Sequence, residues 1–170
     1  MSLGVEYWTI LIGGQLAQFP GGPLPANNFV KFSQNPLWRT TMSTNSIDIA
    51  ITFFGHWSAN RIEDALAMLS DDVLYDNVPL PNIVGRDNVR KFHKDFGVGT
   101  AFRVDWAVTN IAASGNLVLN ERIDVFTHES GATITLPVMG TVTVENGEIT
   151  VWRDYFDLAD FERQVSLLKR

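Results

Sequence analysis

Four stretches in the second half of the chain alternate apolar and polar residues with the period of two that is typical of β-strands. They cover residues 102–113, 116–127, 133–145 and 148–156. Only Asn146-Gly147 separates the last two stretches, and this dipeptide indicates a tight β-hairpin because both residues tolerate the positive φ of a type I′ turn. The sequence therefore predicts an antiparallel meander of long strands, with bulges or kinks expected at Pro137 and Gly140.

The preceding part of the chain shows helical spacing instead. Apolar residues recur every three or four positions from Ser46, again from Asn60, and a third time over 87–96. A short strand is expected over 73–78, and a last helix over 159–168. Helices followed by a long meander are typical of an α+β fold, in which a curved, mostly antiparallel sheet wraps around the N-terminal helices and encloses a pocket.

The N-terminal region, residues 1–44, shows no sustained period of either kind, and Met42 resembles a second beginning. Three interpretations remain open: a tail from an upstream start codon, a disordered lead-in, or an arm that packs on the body or on a partner subunit. Aromatic residues such as Trp8 and Trp38 slightly favour an arm, because disordered segments are poor in them. We therefore divide the chain into an N-terminal arm or leader (1–44) and one domain (45–170).

The composition excludes several classes of partner. Among 170 residues the net charge is −6, and the 13 Lys and Arg residues are dispersed, which argues against a nucleic-acid or anionic-membrane surface. No apolar run approaches the about 20 residues that span a bilayer. Cysteine is absent, so disulfides and thiolate chemistry are excluded, and this fits a reducing cytoplasm. A neutral or apolar ligand is expected.

Charged residues on two of the predicted strands are candidates for chemistry. Asp154 shares one strand face with Trp152 and Phe156, and a carboxylate among aromatic residues is costly to bury unless it is paired or protonated. Arg122 and Asp124 are two positions apart, so they also share one face of their strand. By spacing alone, a surface ion pair explains an Arg-x-Asp motif more often than catalysis does.

Two aspartates bridged by an arginine can nevertheless perform acid/base chemistry. One carboxylate would be ionised to accept a proton from water and the other protonated to donate one, while Arg122 holds both Asp154 and Asp124 in place. Tyr75 and Asn77 share a face of the early strand and could hold a water molecule between them. Considered in isolation, a strand-end tyrosine and a turn asparagine are the simpler explanation.

Other candidate residues carry weaker signals. Six apolar side chains are predicted pocket walls, although such residues are more often ordinary core: Trp106, Leu136, Val138, Met139, Trp152 and Phe156. The histidines, His56, His93 and His128, lack the spacing of a metal site and are predicted to be solvated or helix-capping, with His93 on or beside the exposed side of its helix. The absence of Gly-x-Ser-x-Gly leaves a serine-hydrolase fold without support.

Separated segments of the chain resemble those of limonene-1,2-epoxide hydrolases. The matching segments are Tyr75-Asp76-Asn77-Val78-Pro79-Leu80-Pro81, Arg122-Ile123-Asp124, Leu136-Pro137-Val138-Met139-Gly140 and Trp152-Arg153-Asp154-Tyr155-Phe156-Asp157. The resemblance covers about residues 46–168 and implies a cone-shaped α+β barrel of the nuclear-transport-factor-2-like (SnoaL-like) kind, commonly a homodimer. It also implies that epoxides are opened without a covalent enzyme intermediate and without a metal, nucleotide or flavin.

The same resemblance implies a role for each candidate residue. Asp154 would be the base that deprotonates water, and Tyr75 and Asn77 would hold that water. Asp124 would protonate the epoxide oxygen, and Arg122 would bridge the two aspartates. The expected reaction adds water to a small apolar epoxide, cyclic or terpenoid, to give a vicinal diol. An isomerase, dehydratase or cyclase of the same fold, or a non-catalytic pocketed binding or dimerisation module, remains the alternative.

Overall fold

The computed structural model describes Glu6–Ile12, Gln15–Gly21 and residues 44–168. The chain divides into two compact units, residues 1–40 and residues 41–170.

The described part of the first unit is a β-hairpin. Strands β1 (Glu6–Ile12) and β2 (Gln15–Gly21) pair antiparallel. The residue pattern predicts no regular element here, so the hairpin corrects that expectation. The sequence signal for it is Gly13-Gly14, a dipeptide typical of two-residue hairpin loops. The rest of the predicted arm or leader, including Met42, lies outside the described residues.

The second unit contains the predicted helices and long strands. Its elements are α1 (Thr44–Ser58), α2 (Ile62–Ala67), β3 (Leu69–Asn77), β4 (Ile83–Val84), α3 (Arg86–Phe96), β5 (Phe102–Ser114), β6 (Leu117–His128), β7 (Thr133–Glu145), β8 (Glu148–Tyr155) and α4 (Leu158–Leu168). Strand β4 was not predicted, because two residues are too few to show a period. Within the described ranges, no helix is long and apolar enough to cross a membrane.

Six strands form one curved, mixed sheet in the order β4-β3-β8-β7-β6-β5. All neighbouring pairs are antiparallel except β3 and β8, which run parallel. The predicted α+β class is confirmed. The sheet is open rather than closed into a barrel, because β4 and β5 are its two edge strands.

The predicted hairpin between β7 and β8 is confirmed. Asn146 and Gly147 have φ angles of 52° and 88°, in the region that a type I′ turn requires. The turn sets the register that pairs Glu145 with Glu148. One extra residue of β8, Thr150, then shifts this register by one position, and Gly140 pairs with Asp154 at the site.

The bulges lie elsewhere than predicted. Pairing between β6 and β7 continues without a shift through Pro137 and Gly140. The irregularities fall between Leu69 and Leu74 in β3, between Val108 and Asn110 in β5, and at Thr150 in β8, opposite Thr143 and Val144 of β7. Pro137 is exposed on the outer face of the sheet, and Gly140 is buried on the inner face.

Helix α1 covers the inner face of the sheet. Its buried side chains Ala50, Phe53, Phe54 and Trp57 recur at the three- and four-residue spacing that gives a helix one apolar face. They pack with inward-facing residues of the strands, among them Trp152. Helix α1 and the inner face of the sheet therefore enclose the hydrophobic core of this unit.

Candidate active site

Arg122 lies completely buried between two carboxylates on the inner face of the sheet. Its Nε and Nη2 donate to the two Asp124 oxygens at 3.0 and 3.1 Å, and its Nη1 and Nη2 donate to the two Asp154 oxygens at 3.0 and 2.9 Å. Nη1 also donates to Asn120 Oδ1 at 2.7 Å. These bonds occupy all five donors of the guanidinium. We call Arg122, Asp124 and Asp154 the carboxylate–arginine cluster.

Alternation along β6 turns Asn120, Arg122 and Asp124 inward together. Asp154 comes from β8, which is separated from β6 by strand β7. The position of β7 that lies between them is Gly140, paired with Asn120 on one side and with Asp154 on the other. The Arg122–Asp154 ion pair therefore crosses β7 at Gly140. Among the inward-facing residues of β7 from Ile134 to Val144, Gly140 is the one that has no side chain.

Gly140 makes this crossing possible. A Cβ at this position would overlap Asp154 Oδ1, and it would lie 2.9 Å from the Arg153 carbonyl oxygen and 3.1 Å from Arg122 Nη1. Any side chain here would push the carboxylate or the guanidinium aside. Glycine is thus required by close approach to the cluster, and not by a kink of the strand.

Burial and mutual attraction set the charges of the cluster. Burial alone would lower the pKa of Arg122, but Asp154 and Asp124 raise it above its usual value, so the guanidinium stays charged. Burial raises the pKa of Asp124 to about 6, and Arg122 opposes this shift only in part. The Phe54 ring, 4.3 Å from Arg122 Cζ, adds a cation–π contact on the helix side.

Tyr75 and Asn77 lie beside the cluster because β3 runs parallel to β8. Asn77 pairs with Asp154, and Tyr75 pairs with Trp152, on which its ring stacks at 4.2 Å between centroids. Asn77 Nδ2 donates to Tyr75 Oη at 2.8 Å. Burial and the Asp154 charge raise the pKa of Tyr75 well above its usual value, so its hydroxyl keeps a proton to donate.

A cavity of about 390 Å³ opens onto this group. Tyr75, Asn77, Asp124 and Asp154 line it, and Arg122 lies behind the two aspartates. The structure thus brings together all five residues that the resemblance implied as catalytic. The remaining wall is mostly apolar and consists of Leu80, Phe92, Phe96, Val98, Trp106, Phe126, Leu136, Val138, Phe156 and Phe161, with His93 and Asp95.

Four of the six side chains predicted as pocket walls line the cavity, and two do not. Trp106, Leu136, Val138 and Phe156 line the cavity. Two other side chains that the sequence analysis expected there are not among its lining residues: Trp152, which is fully buried in the core, and Met139, which is 50% exposed. Met139 follows the inward-facing Val138, so the period of two turns it to the outer face.

Helix α3 contributes a cavity residue that the sequence analysis placed wrongly. His93 is 4% exposed and lines the cavity, although it was predicted on or beside the exposed side of the helix. It follows Val89 by four positions, and this spacing puts both on the buried face. The other two histidines have polar neighbours: His56 accepts a bond from Arg61, and His128 pairs with Ser130. The described residues contain no group of three metal-binding side chains.

Comparison with solved structures identifies the fold class. A structure of a Mycobacterium tuberculosis LEH-like epoxide hydrolase superimposes with a TM-score of 0.63 at 27% identity, covering 74% of this chain and 96% of that one. A putative polyketide cyclase from Xanthomonas campestris pv. campestris shares the fold at 20% identity, with a TM-score of 0.61 and coverage of 71% and 96%. These neighbours confirm an α+β fold of the nuclear-transport-factor-2-like class.

The sequence comparison narrows the class to one family. Residues 44–166 match the limonene-1,2-epoxide hydrolase catalytic domain, and the chain belongs to this family. Epoxide hydrolase EphG of Mycobacterium tuberculosis is 34% identical over 94 residues, which are 55% of this chain and 61% of the relative. The aligned region thus spans less than two thirds of that relative.

Proposed function

We propose that the protein is an epoxide hydrolase that adds water to apolar, cyclic or terpenoid epoxides and releases vicinal diols. The observation that carries this proposal is the carboxylate–arginine cluster at the wall of an apolar cavity, with the Tyr75–Asn77 pair beside Asp154. Membership of the limonene-1,2-epoxide hydrolase family supports it. The cavity volume, about 390 Å³, is sufficient for a small cyclic skeleton.

In the proposed mechanism one water molecule attacks an epoxide carbon directly. Tyr75 and Asn77 hold the water, and Asp154 accepts one of its protons as the new C–O bond forms. The strained C–O bond of the epoxide breaks in the same step, and its oxygen takes the proton of Asp124. Arg122 holds both carboxyl groups, and return of the proton from Asp154 to Asp124 completes the cycle. The atoms balance as one epoxide plus one water giving one diol.

The distribution of charge in the cluster supports the two aspartate roles. Asp124 can serve as the acid because burial raises its pKa to about 6, whereas an ordinary aspartate has lost its proton well below that pH. Asp154 is the carboxylate beside the Tyr75–Asn77 pair, which places it next to the proposed water. Both aspartates are bonded to Arg122, but Asp154 also lies next to the Tyr75–Asn77 pair. This difference in surroundings allows the two carboxyl groups to have different roles.

Single-turnover reaction in ¹⁸O-water tests the mechanism. With enzyme in excess over an epoxide such as limonene oxide, the label should appear in the diol, and mass spectrometry of the digested protein should find none in its carboxyl groups. Label on Asp154 or Asp124 would mean that a carboxylate attacks the epoxide and that the direct-water mechanism is wrong. Rearranged products without incorporated oxygen would favour the isomerase or cyclase alternative, and no turnover of an epoxide panel would favour a binding module.

The pH dependence provides a second test. Because the epoxide oxygen must receive its proton from Asp124, kcat/KM should fall as the pH rises above about 6, approaching a tenfold loss per pH unit. The measurement is diol formation at low substrate concentration between pH 5 and 9, after subtraction of the uncatalysed reaction. A rate that stays constant from pH 5 to pH 8 would contradict the role of Asp124 as the acid.

A further inference from the structure

His93 is a polar side chain in surroundings that offer it no hydrogen bond. Its ring lies among aromatic rings, with centroid distances of 4.6 Å to Trp57, 5.3 Å to Phe92, 5.5 Å to Tyr75 and 5.9 Å to Trp106. Neither Nδ1 nor Nε2 has a hydrogen-bond partner among the described residues. Leucine or phenylalanine at this position would fill the same face of α3 without a polar atom.

Such an arrangement is costly unless something else supplies the partner. A buried polar group without a hydrogen-bond partner destabilises the folded protein, because it loses its bonds to water and gains none in return. Burial also lowers the pKa of His93 to about 3, so the ring is neutral and presents one donor and one acceptor. It cannot act as a charged group here.

The carboxylate and amide side chains of the cavity wall each have a hydrogen-bond or ion-pair partner. Asp124 and Asp154 are bonded to Arg122, Asn77 is bonded to Tyr75, and Asp95 is paired with Lys91 at the rim. Two described lining residues have buried polar atoms without a hydrogen-bond partner, His93 and Trp106. The indole of Trp106 can only donate, whereas the neutral ring of His93 offers both a donor and an acceptor. The His93 ring forms part of the wall, and rotation about the Cβ–Cγ bond, a torsion with a broad energy profile, can turn a nitrogen toward the cavity.

We propose that His93 selects substrates that carry a second oxygen function, a hydroxyl or keto group, on the apolar skeleton of the epoxide. The imidazole would accept a bond from a hydroxyl or donate one to a carbonyl, while the carboxylate–arginine cluster opens the epoxide at the other polar part of the wall. This assignment rests on the proposed epoxide hydrolase function for the substrate class, but the binding of oxygenated skeletons can be measured without catalysis. His93 is therefore a specificity residue.

Binding of an unreactive pair of ligands isolates this contact. Trp106 lines the cavity, so tryptophan fluorescence can follow titration with menthol and with menthane, the same skeleton without the hydroxyl. His93→Leu should weaken menthol binding by about five- to tenfold and change menthane binding less than about twofold, because only the alcohol loses a hydrogen bond. His93→Gln, which keeps a donor and an acceptor, should retain most of the preference for menthol.

Control variants and turnover separate the possible explanations. Phe96→Leu alters the same helix face and the same cavity without a polar atom, so it should change both ligands alike. Equal effects of His93→Leu on both ligands, or none, would overturn the proposal and leave His93 as a packing residue. If His93→Leu does not fold, as judged by near-ultraviolet circular dichroism, the comparison of His93→Gln with wild type decides: loss of the menthol preference in this folded variant would also overturn it.

Paired substrates then connect the contact with the reaction. Wild-type kcat/KM should favour a hydroxylated cyclic epoxide over its parent, and His93→Leu should remove that preference. If the menthol preference is found but no epoxide is hydrolysed, the proposed function fails and the binding role of His93 stands. If both epoxides are hydrolysed and His93→Leu affects them equally, the function stands and the specificity role fails.

Discussion

Asp154→Asn should reduce diol formation by about 10³-fold while the protein remains folded. Asparagine preserves the shape of the side chain but cannot accept a proton from water, and positioned acid/base groups typically contribute factors of 10²–10⁴. The loss should appear in kcat and be measured by chromatography of the diol under saturating substrate. Thermal unfolding should show that the variant is folded.

A carboxylate on the opposite face of the sheet provides the matched control. Asp76 pairs with Arg153, as Asp154 pairs with Arg122, but the Asp76 pair lies away from the cavity. Asp76→Asn should therefore leave the rate within about twofold of wild type, as expected for a partly exposed ion pair. Activity of Asp154→Asn above about one tenth of wild type would show that another group is the base.

Arg122→Gln should lower the free energy of unfolding by about 3–5 kcal/mol at pH 8, because it leaves two buried carboxylates without their counter-charge. Without the guanidinium, nothing opposes the burial that raises the pKa of Asp124 in the folded protein above its value in the unfolded chain. The folded variant then binds this proton more tightly than the unfolded chain does, so its stability should recover as the pH falls toward 5. Urea denaturation at both pH values measures the effect.

Arg153→Gln is the corresponding control for Arg122→Gln. Arg153 makes a single, partly exposed ion pair with Asp76, so its removal should cost less than about 1 kcal/mol and show little recovery at low pH. If Arg122→Gln were as mild as Arg153→Gln, the two aspartates would have to be neutral already in the wild-type protein. The charge distribution proposed for catalysis would then be wrong.

The strands and the grouping of the charged residues could be predicted because both depend on short-range patterns. A period of two identifies β5 to β8 and also states that Arg122 and Asp124 point to one side. The Asn146-Gly147 turn is equally local. These predictions need no knowledge of which strands become neighbours.

Features that depend on long-range pairing could not be predicted in the same way. The role of Gly140 appears only when β6 and β8 are known to flank β7, and without that knowledge a strand glycine indicates a bulge. The placement of Tyr75 and Asn77 depends on the parallel pairing of β3 with β8. The burial of His93 conflicts with the usual exposure of a polar residue on an amphipathic helix, so its spacing from Val89 was the better guide.

The strand arrangement also determines the order in which the site can be assembled. The carboxylate–arginine cluster is contained in one continuous segment, 117–155, whose strands are joined by short turns. Tyr75 and Asn77 must instead join β8 across a long stretch of chain, and such contacts form more slowly than local hairpins. We therefore expect the folding chain to bring the acid, the base and the arginine together before β3 adds the residues proposed to hold the water. Hydrolytic activity should then appear only after β3 has paired with β8.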